Sequence, residues 1–291
     1  MALSIHLGAH KTASTHLQYS LRQVQDQLRD AGLFYADPAL LRTPPLGLAE
    51  ILAAGAGCPG EAGFRAAWQA QCRGCPDVLI SEENILGGTN RNKIVSRRGV
   101  LHPFAARRLH QVIALAGGGP AVLYLSIRDP ASFNLSAFAL QVGLGKETEI
   151  ADWLRGRDPA RLGWLGLVKR LAALEGVARL VVWRYEDYAA LRAQLLDRLL
   201  PPGMAGQVPD PPPANESLTQ PGYEWFLQRA MADSEADLRV LAQRARRRFR
   251  RADGHGPLRL LDEADHARSA ENYAREIAAI RKLPRVEFVA P

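Results

Sequence analysis

The sequence predicts an α/β fold: a parallel sheet of four to five strands flanked by helices, followed by a helical C-terminal portion. Three observations carry this. Short, nearly continuous apolar runs recur at residues 3–7, 77–81, 121–127 and 179–184; strands buried on both faces look like this. Helical periodicity fills the spaces between them, and that alternation is built with right-handed crossovers. Beyond residue 200 the strand-like runs give way to helical patterns.

The elements follow in order. Residues 3–7 (LSIHL) end at Gly8 and read as a buried strand. Leu17, Leu21, Val24 and Leu28 then recur at helical spacing, so a helix is expected over roughly 14–31, stopped by Gly32. Further helices are expected over 61–72, 103–116, 132–141 and 163–175. The segment 201–213 is rich in proline and reads as a connection. Helices are expected again over 221–251 and 263–282. The division this suggests is an α/β core over 1–200 and a proline-rich connection with a helical portion packed on it over 201–291.

Composition narrows the function classes. The 291 residues are 47% hydrophobic and 23% charged, which is ordinary for a globular chain. Thirty-seven Lys and Arg against 30 Asp and Glu give a net charge of +7, which favours an anionic partner. No apolar run is long enough to span a membrane. The start, MALSIHLGAHKT, lacks the pattern of a secretory signal, so a cytoplasmic protein is expected. Three cysteines fit that compartment. Cys72-x-x-Cys75 lacks the further ligands a zinc site needs, and no metal site is expected. The sequons at Asn134 and Asn215 are read as chance matches.

Two loops carry chemistry. Gly8-Ala9-His10-Lys11-Thr12-Ala13-Ser14-Thr15 joins the first strand to the first helix. Unpaired N–H groups and the helix dipole make such a junction an anion site, and Lys11 with three hydroxyls adds donors. The loop is shorter than G-x-x-x-x-G-K-[ST], so it would cradle one tetrahedral group. The second loop, Ser126-Ile127-Arg128-Asp129-Pro130, closes the third of these strands. It places Arg128 at the carboxyl edge of the sheet, where Lys11 also lies, with Ser136 on the next helix. Two separated grips on one edge suit a ligand with two anionic ends.

These paired motifs, G-x-x-K-T-x-S-T and R-D-P-x5-S, resemble the two nucleotide loops of the PAPS-dependent sulfotransferases, and of bacterial members in particular. Tyr185-Glu186-Asp187 after the fourth of these strands is similar to a segment of that family beside the adenine, and Asn215-Glu-Ser-Leu is similar to a stretch further downstream. The resemblance covers roughly residues 3–220. It implies a P-loop-like fold and sulfuryl transfer from PAPS to a hydroxyl or amine, with release of PAP and no required metal. On this reading His10, Lys11, Thr12, Ala13, Ser14, Thr15 and His16 bind the nucleotide's 5′ end and adenine side. Arg128 and Ser136 hold the 3′-phosphate, and Tyr185 lies by the base. Lys11 is catalytic.

The chain departs from the family at Ala13, where Gly is usual. His16 stands where an aromatic side chain stacks in some members. The Arg-Lys-Gly of cytosolic animal members is not reproduced at Arg281-Lys282-Leu283.

Glu82 and Glu83 end the strand 77–81, and one of them is expected to be the base that deprotonates the acceptor; the bacterial pattern favours Glu83. His102 and His110, on an expected helix, are rivals. Arg244–Arg251 holds six arginines in eight residues and reads first as a solvated face. The acceptor is expected to be a small molecule, carbohydrate or peptide, and a nucleic-acid partner is not expected. Two other functions fit parts of the pattern: a P-loop nucleotide kinase, and a non-catalytic basic protein that binds nucleic acid or lipid.

Overall fold

A computed structural model describes residues 2–146, 148–212 and 217–291. The chain divides into two compact units. One comprises residues 1–128, 163–212 and 277–291, and the other comprises 129–162 and 213–276.

The first unit is built on a parallel sheet. β1 (Ala2–His6), β2 (Leu33–Ala36), β3 (Asp77–Ser81), β4 (Ala121–Ile127), β5 (Val177–Arg184) and β6 (Val286–Val289) lie in the order β2-β3-β1-β4-β5-β6. Every pairing is parallel. The sheet therefore has six strands, not four to five. The two additional strands are four residues each and form its two edges. β2 (LFYA) follows a helix directly, and β6 (VEFV) sits in the C-terminal stretch read as helical. Neither is long enough for its periodicity to stand out from a helix end.

β1 is central, between β3 and β4. Because all strands run the same way, the loops after β1, β3 and β4 emerge side by side at the carboxyl edge. Ile5, Leu79, Leu123 and Val181, one on each of four successive strands, are fully buried beneath that edge. The first helix is shorter than its spacing suggested. It runs Ser14–Arg22 (α1), breaks at Gln23–Val24 and resumes over Gln25–Asp30.

In the second unit, the helix Pro130–Gly143 begins with Asp129 as its cap, whose Oδ1 accepts from the Ser132 amide at 2.9 Å. The long helix expected over 221–251 is two helices, Gln220–Ala232 and Leu238–Arg248, with Asp237 capping the second. Within the Arg-rich run, Arg246 turns inward and donates to the Ala139 carbonyl at 2.8 Å. Arg248 lies over the rings of Trp225 and Phe249. Arg244, Arg247, Arg250 and Arg251 face solvent. Asn215, singled out in the sequence, lies outside the described residues.

Candidate functional site

The site grows from the loop after β1. Leu7 still bonds to the sheet, its amide donating to Tyr124 O at 2.9 Å. The chain then turns sharply through three left-handed residues, Gly8 (φ 44), Lys11 (φ 67) and Ala13 (φ 64). Gly8 is required twice over. Its φ disfavours a side chain, and an added Cβ would lie 2.5 Å from Ser14 Cβ. Lys11 and Ala13 hold a conformation that costs an L-residue about 1–2 kcal/mol. Strain of this kind persists where surrounding bonds over-determine it.

Two such bonds are visible. Thr12 Oγ1 donates to Ala9 O at 2.6 Å, closing the loop on itself. Arg128 Nη1 donates to Lys11 O at 2.8 Å. The Thr12 hydroxyl thus fastens the loop.

Ala13 is the residue before α1, and its carbonyl accepts from the His16 amide at 3.0 Å. The amides at Ser14 and Thr15 precede any possible intrahelical acceptor, so they are the orphan donors of this helix end. Ser14 is buried against Gly8, and Thr15 is exposed.

His16 is held at both nitrogens: Nδ1 lies 3.0 Å from Tyr188 Oη, and Nε2 lies 2.8 Å from Pro211 O. The tautomer that satisfies both donates from Nε2 and accepts at Nδ1. Asp210 lies 3.3 Å from Nε2 and 3.1 Å from Arg192, so the proline-rich stretch is tied to the start of α1.

Arg128 ends β4. Its carbonyl accepts from Trp164 Nε1 at 2.7 Å, and its guanidinium lies over the Tyr185 ring at 4.4 Å. Tyr185 follows β5 directly, so the neighbouring strands β4 and β5 deliver the stacked pair. Ser136 is buried on the helix Pro130–Gly143 of the second unit.

The loop after β3 holds the carboxylates. Glu82 is 3% exposed, and both its oxygens are forked by Arg42, Nε to Oε2 at 2.8 Å and Nη2 to Oε1 at 2.7 Å. The Asn84 amide adds a bond to Oε1 at 2.9 Å. Burial pushes the Glu82 carboxyl up, and Arg42 opposes it. Glu83 is partly open. Its Oε1 takes Arg42 Nη2 at 2.7 Å and its Oε2 takes Gln18 Nε2 at 2.9 Å. Burial alone would raise it, but the Gln18 hydrogen bond and the Arg42 charge outweigh that and hold it below the usual carboxylate range.

Three histidines surround this corner, all pushed toward the neutral form by burial. His6, lowered to about 4, bonds Ser81 Oγ at 2.7 Å and stacks on Trp183. His10 is 4% exposed, and its Nε2 lies 3.4 Å from Asn84 Oδ1. Its ring stacks on His102, with centroids 5.8 Å apart. His102 is not on a helix: it precedes Ala105–Leu115 with φ 43 and is fully buried. His110, on that helix, is exposed.

Arg42, Gln18 and Asn84 were not singled out in the sequence. A lone Arg after a four-residue helix, and a Gln and an Asn in ordinary contexts, carry no pattern that would mark them. Among the described residues, no group of three or more His, Cys, Asp or Glu could hold a metal ion. Burial pushes Cys72 up to about 11, so its thiolate is disfavoured at neutral pH.

No family model matches the chain, and no curated protein matches it. Among solved structures, it is similar to one titled "Crystal Structure of Sulfotransferase from Alicyclobacillus acidocaldarius". The identity is 18%, the match covers 84% of this chain and 96% of that one, and the TM-score is 0.40.

Proposed function

We propose that this chain is a sulfotransferase that moves the sulfuryl group of PAPS to an acceptor hydroxyl or amine and releases PAP. The observation that carries the reading is the strained loop Gly8–Thr15. It places a lysine and the orphan amides of α1 at the carboxyl edge of the central strand, and an arginine from the next strand bonds its backbone. A helix start of this kind suits a tetrahedral anion. Gly8 lets the backbone fold tightly against Ser14, and the amides at Ser14 and Thr15 donate to phosphate oxygens.

In this scheme the acceptor heteroatom attacks sulfur in line with the leaving oxygen. The bond from sulfur to the 5′-phosphate oxygen breaks, and its electron pair stays on PAP. Lys11 and the helix start stabilise the charge that develops on that oxygen. Glu83 takes the acceptor proton. It fits better than Glu82, whose two oxygens are forked by one guanidinium in a buried position. Glu83 needs no high basicity if the proton leaves as the bond to sulfur forms. Arg128, lying over Tyr185, supplies positive charge for the nucleotide's second anionic group.

The test is calorimetry and thermal shift with PAP and with ATP–Mg²⁺. PAP is expected to bind and to raise the unfolding temperature more than ATP–Mg²⁺ does. Preferential stabilisation by ATP–Mg²⁺ would instead support a nucleotide kinase.

A further inference from the structure

The two adjacent carboxylates after β3 are chemically alike, and one side chain treats them differently. Arg42 follows the short helix Pro38–Leu41, which begins at Asp37. Asp37 Oδ1 accepts from the Leu40 amide at 2.8 Å, so the backbone that delivers Arg42 is anchored. The guanidinium forks Glu82 on both oxygens, and the same Nη2 also reaches Glu83 Oε1 at 2.7 Å. Glu83's second oxygen takes Gln18 Nε2. Gln18 is itself buried on α1, and its carbonyl accepts from Tyr35 Oη at 3.3 Å. Glu83 is thereby fixed from two elements, the turn after β2 and the second turn of α1.

We propose that Arg42 and Gln18 are positioning residues: Arg42 commits Glu82 to a structural ion pair and, together with Gln18, presents Glu83 as the proton acceptor of the transfer. This rests on the reading of Glu83 as the base given above.

The physical reason lies in the geometry of the fork. A planar guanidinium satisfies both oxygens of one carboxylate and still has an N–H for a second; an ammonium on a flexible stem does not hold both in a set geometry. Without Arg42, Glu82 is a buried carboxylate with no guanidinium bonded to it, next to another carboxylate; Arg108, which bonds the Asn84 carbonyl at 3.0 Å, acts on it through charge alone. Two such groups share a proton and titrate as a pair, the first proton binding at higher pH. Either member could then carry it, and the distinction between them is lost. The other ionisable groups acting on the pair are His10, His6 and Tyr35 on Glu83 and Arg108 on Glu82; burial favours the neutral imidazoles and phenol, and such charge as His10 carries works with Arg42 in lowering Glu83. Arg42 is the cation hydrogen-bonded to both carboxylates, so its removal is the change that most alters the charge state of this corner.

The experiment uses Arg42→Met, Arg42→Lys and Gln18→Leu in the full chain. The first readout needs no acceptor: a carbon-13 carboxyl titration of glutamate-labelled protein, with the pair assigned by Glu82→Gln and Glu83→Gln. The second is the pH profile of PAP release from PAPS with water as acceptor. In Arg42→Met the midpoint of the pair is expected to rise by at least one pH unit, and the acidic limb of turnover to rise with it. Arg42→Lys should move both by less, and Gln18→Leu should move them slightly upward with the ion pair intact. PAP affinity by calorimetry should stay within twofold in all three.

An unmoved midpoint in Arg42→Met, or a moved midpoint with an unmoved limb, would overturn the proposal. If Arg42→Met does not fold, Arg42→Lys and Gln18→Leu decide it by the same two criteria. Failure of the unsubstituted protein to bind PAP would defeat the sulfotransferase reading separately, since the carboxyl titration does not depend on nucleotide.

Discussion

Arg128 Nη1 donates to the carbonyl oxygen of Lys11 across 2.8 Å. A side chain at the end of β4 thus fixes the backbone of the residue that carries the cation after β1. Lys11 is at φ 67, a conformation it would not hold unaided. Arg128 therefore helps to hold the position of Lys11, and the two loops that the sequence reads as separate anion sites are bonded to one another. Replacing Arg128 removes a cation and also releases the loop.

Arg128→Ala is accordingly expected to weaken PAP binding by more than one charged hydrogen bond would, roughly 10- to 100-fold or beyond. Calorimetry with PAP measures it. Unchanged affinity would remove Arg128 from the nucleotide site.

Lys11→Ala should leave the fold intact, because the Lys11 side chain is partly exposed and β1 and α1 are packed without it. PAP release from PAPS should fall by several orders of magnitude, while the unfolding temperature moves by no more than a few degrees. Undiminished turnover would refute the role given to this lysine.

Gly8→Ala tests the loop itself. The added methyl meets Ser14 Cβ at 2.5 Å in a backbone region that side chains avoid. The expected loss is at least about 1–2 kcal/mol in stability by denaturant titration. PAP binding should fall as well, since the loop must open to admit the methyl group.

The two glutamates should separate by readout. Glu83→Gln is expected to lower turnover by 10²- to 10⁴-fold with little change in stability. Glu82→Gln breaks a buried fork to Arg42 and should lower the unfolding temperature measurably. The reverse pattern would exchange their roles.

Acid should destabilise the protein in a defined window. His6 is lowered from 6.5 to about 4 by burial, and His10 and His102 are lowered for the same first reason. Their neutral forms therefore contribute stability that is fully present above pH 6.5. For His6 that stability is lost progressively as pH falls from 6.5 toward 4, because the unfolded chain binds the proton first. Urea titrations across this range should show a steep decline. His6→Asn, which keeps an acceptor or donor for Ser81 near Nδ1, should flatten it.

The α/β class, four of the six strands and the placement of Lys11, Arg128 and Tyr185 at strand ends are all legible along the chain. Each of those signals is local. A buried parallel strand needs a continuous apolar run, and a helix start needs its turn residues. The edge strands β2 and β6 escaped because four residues are too few to show a period. The break at 23–24 escaped because the spacing of Leu21, Val24 and Leu28 continues across it; that at 233–237 lies in a polar stretch, Asp-Ser-Glu-Ala-Asp, which a solvated helix can also carry.

The contacts that distinguish the site's residues from one another arise only on folding. Thr12 closes its own loop, and His10 points into a buried pair with His102. Glu82 and Glu83, indistinguishable as neighbours in a chain, differ because Arg42 is 40 residues away in sequence and 2.7 Å away in space. The parallel crossovers bring the turn after β2 beside the end of β3, and no pattern along the chain encodes which of two adjacent carboxylates that arginine will fork.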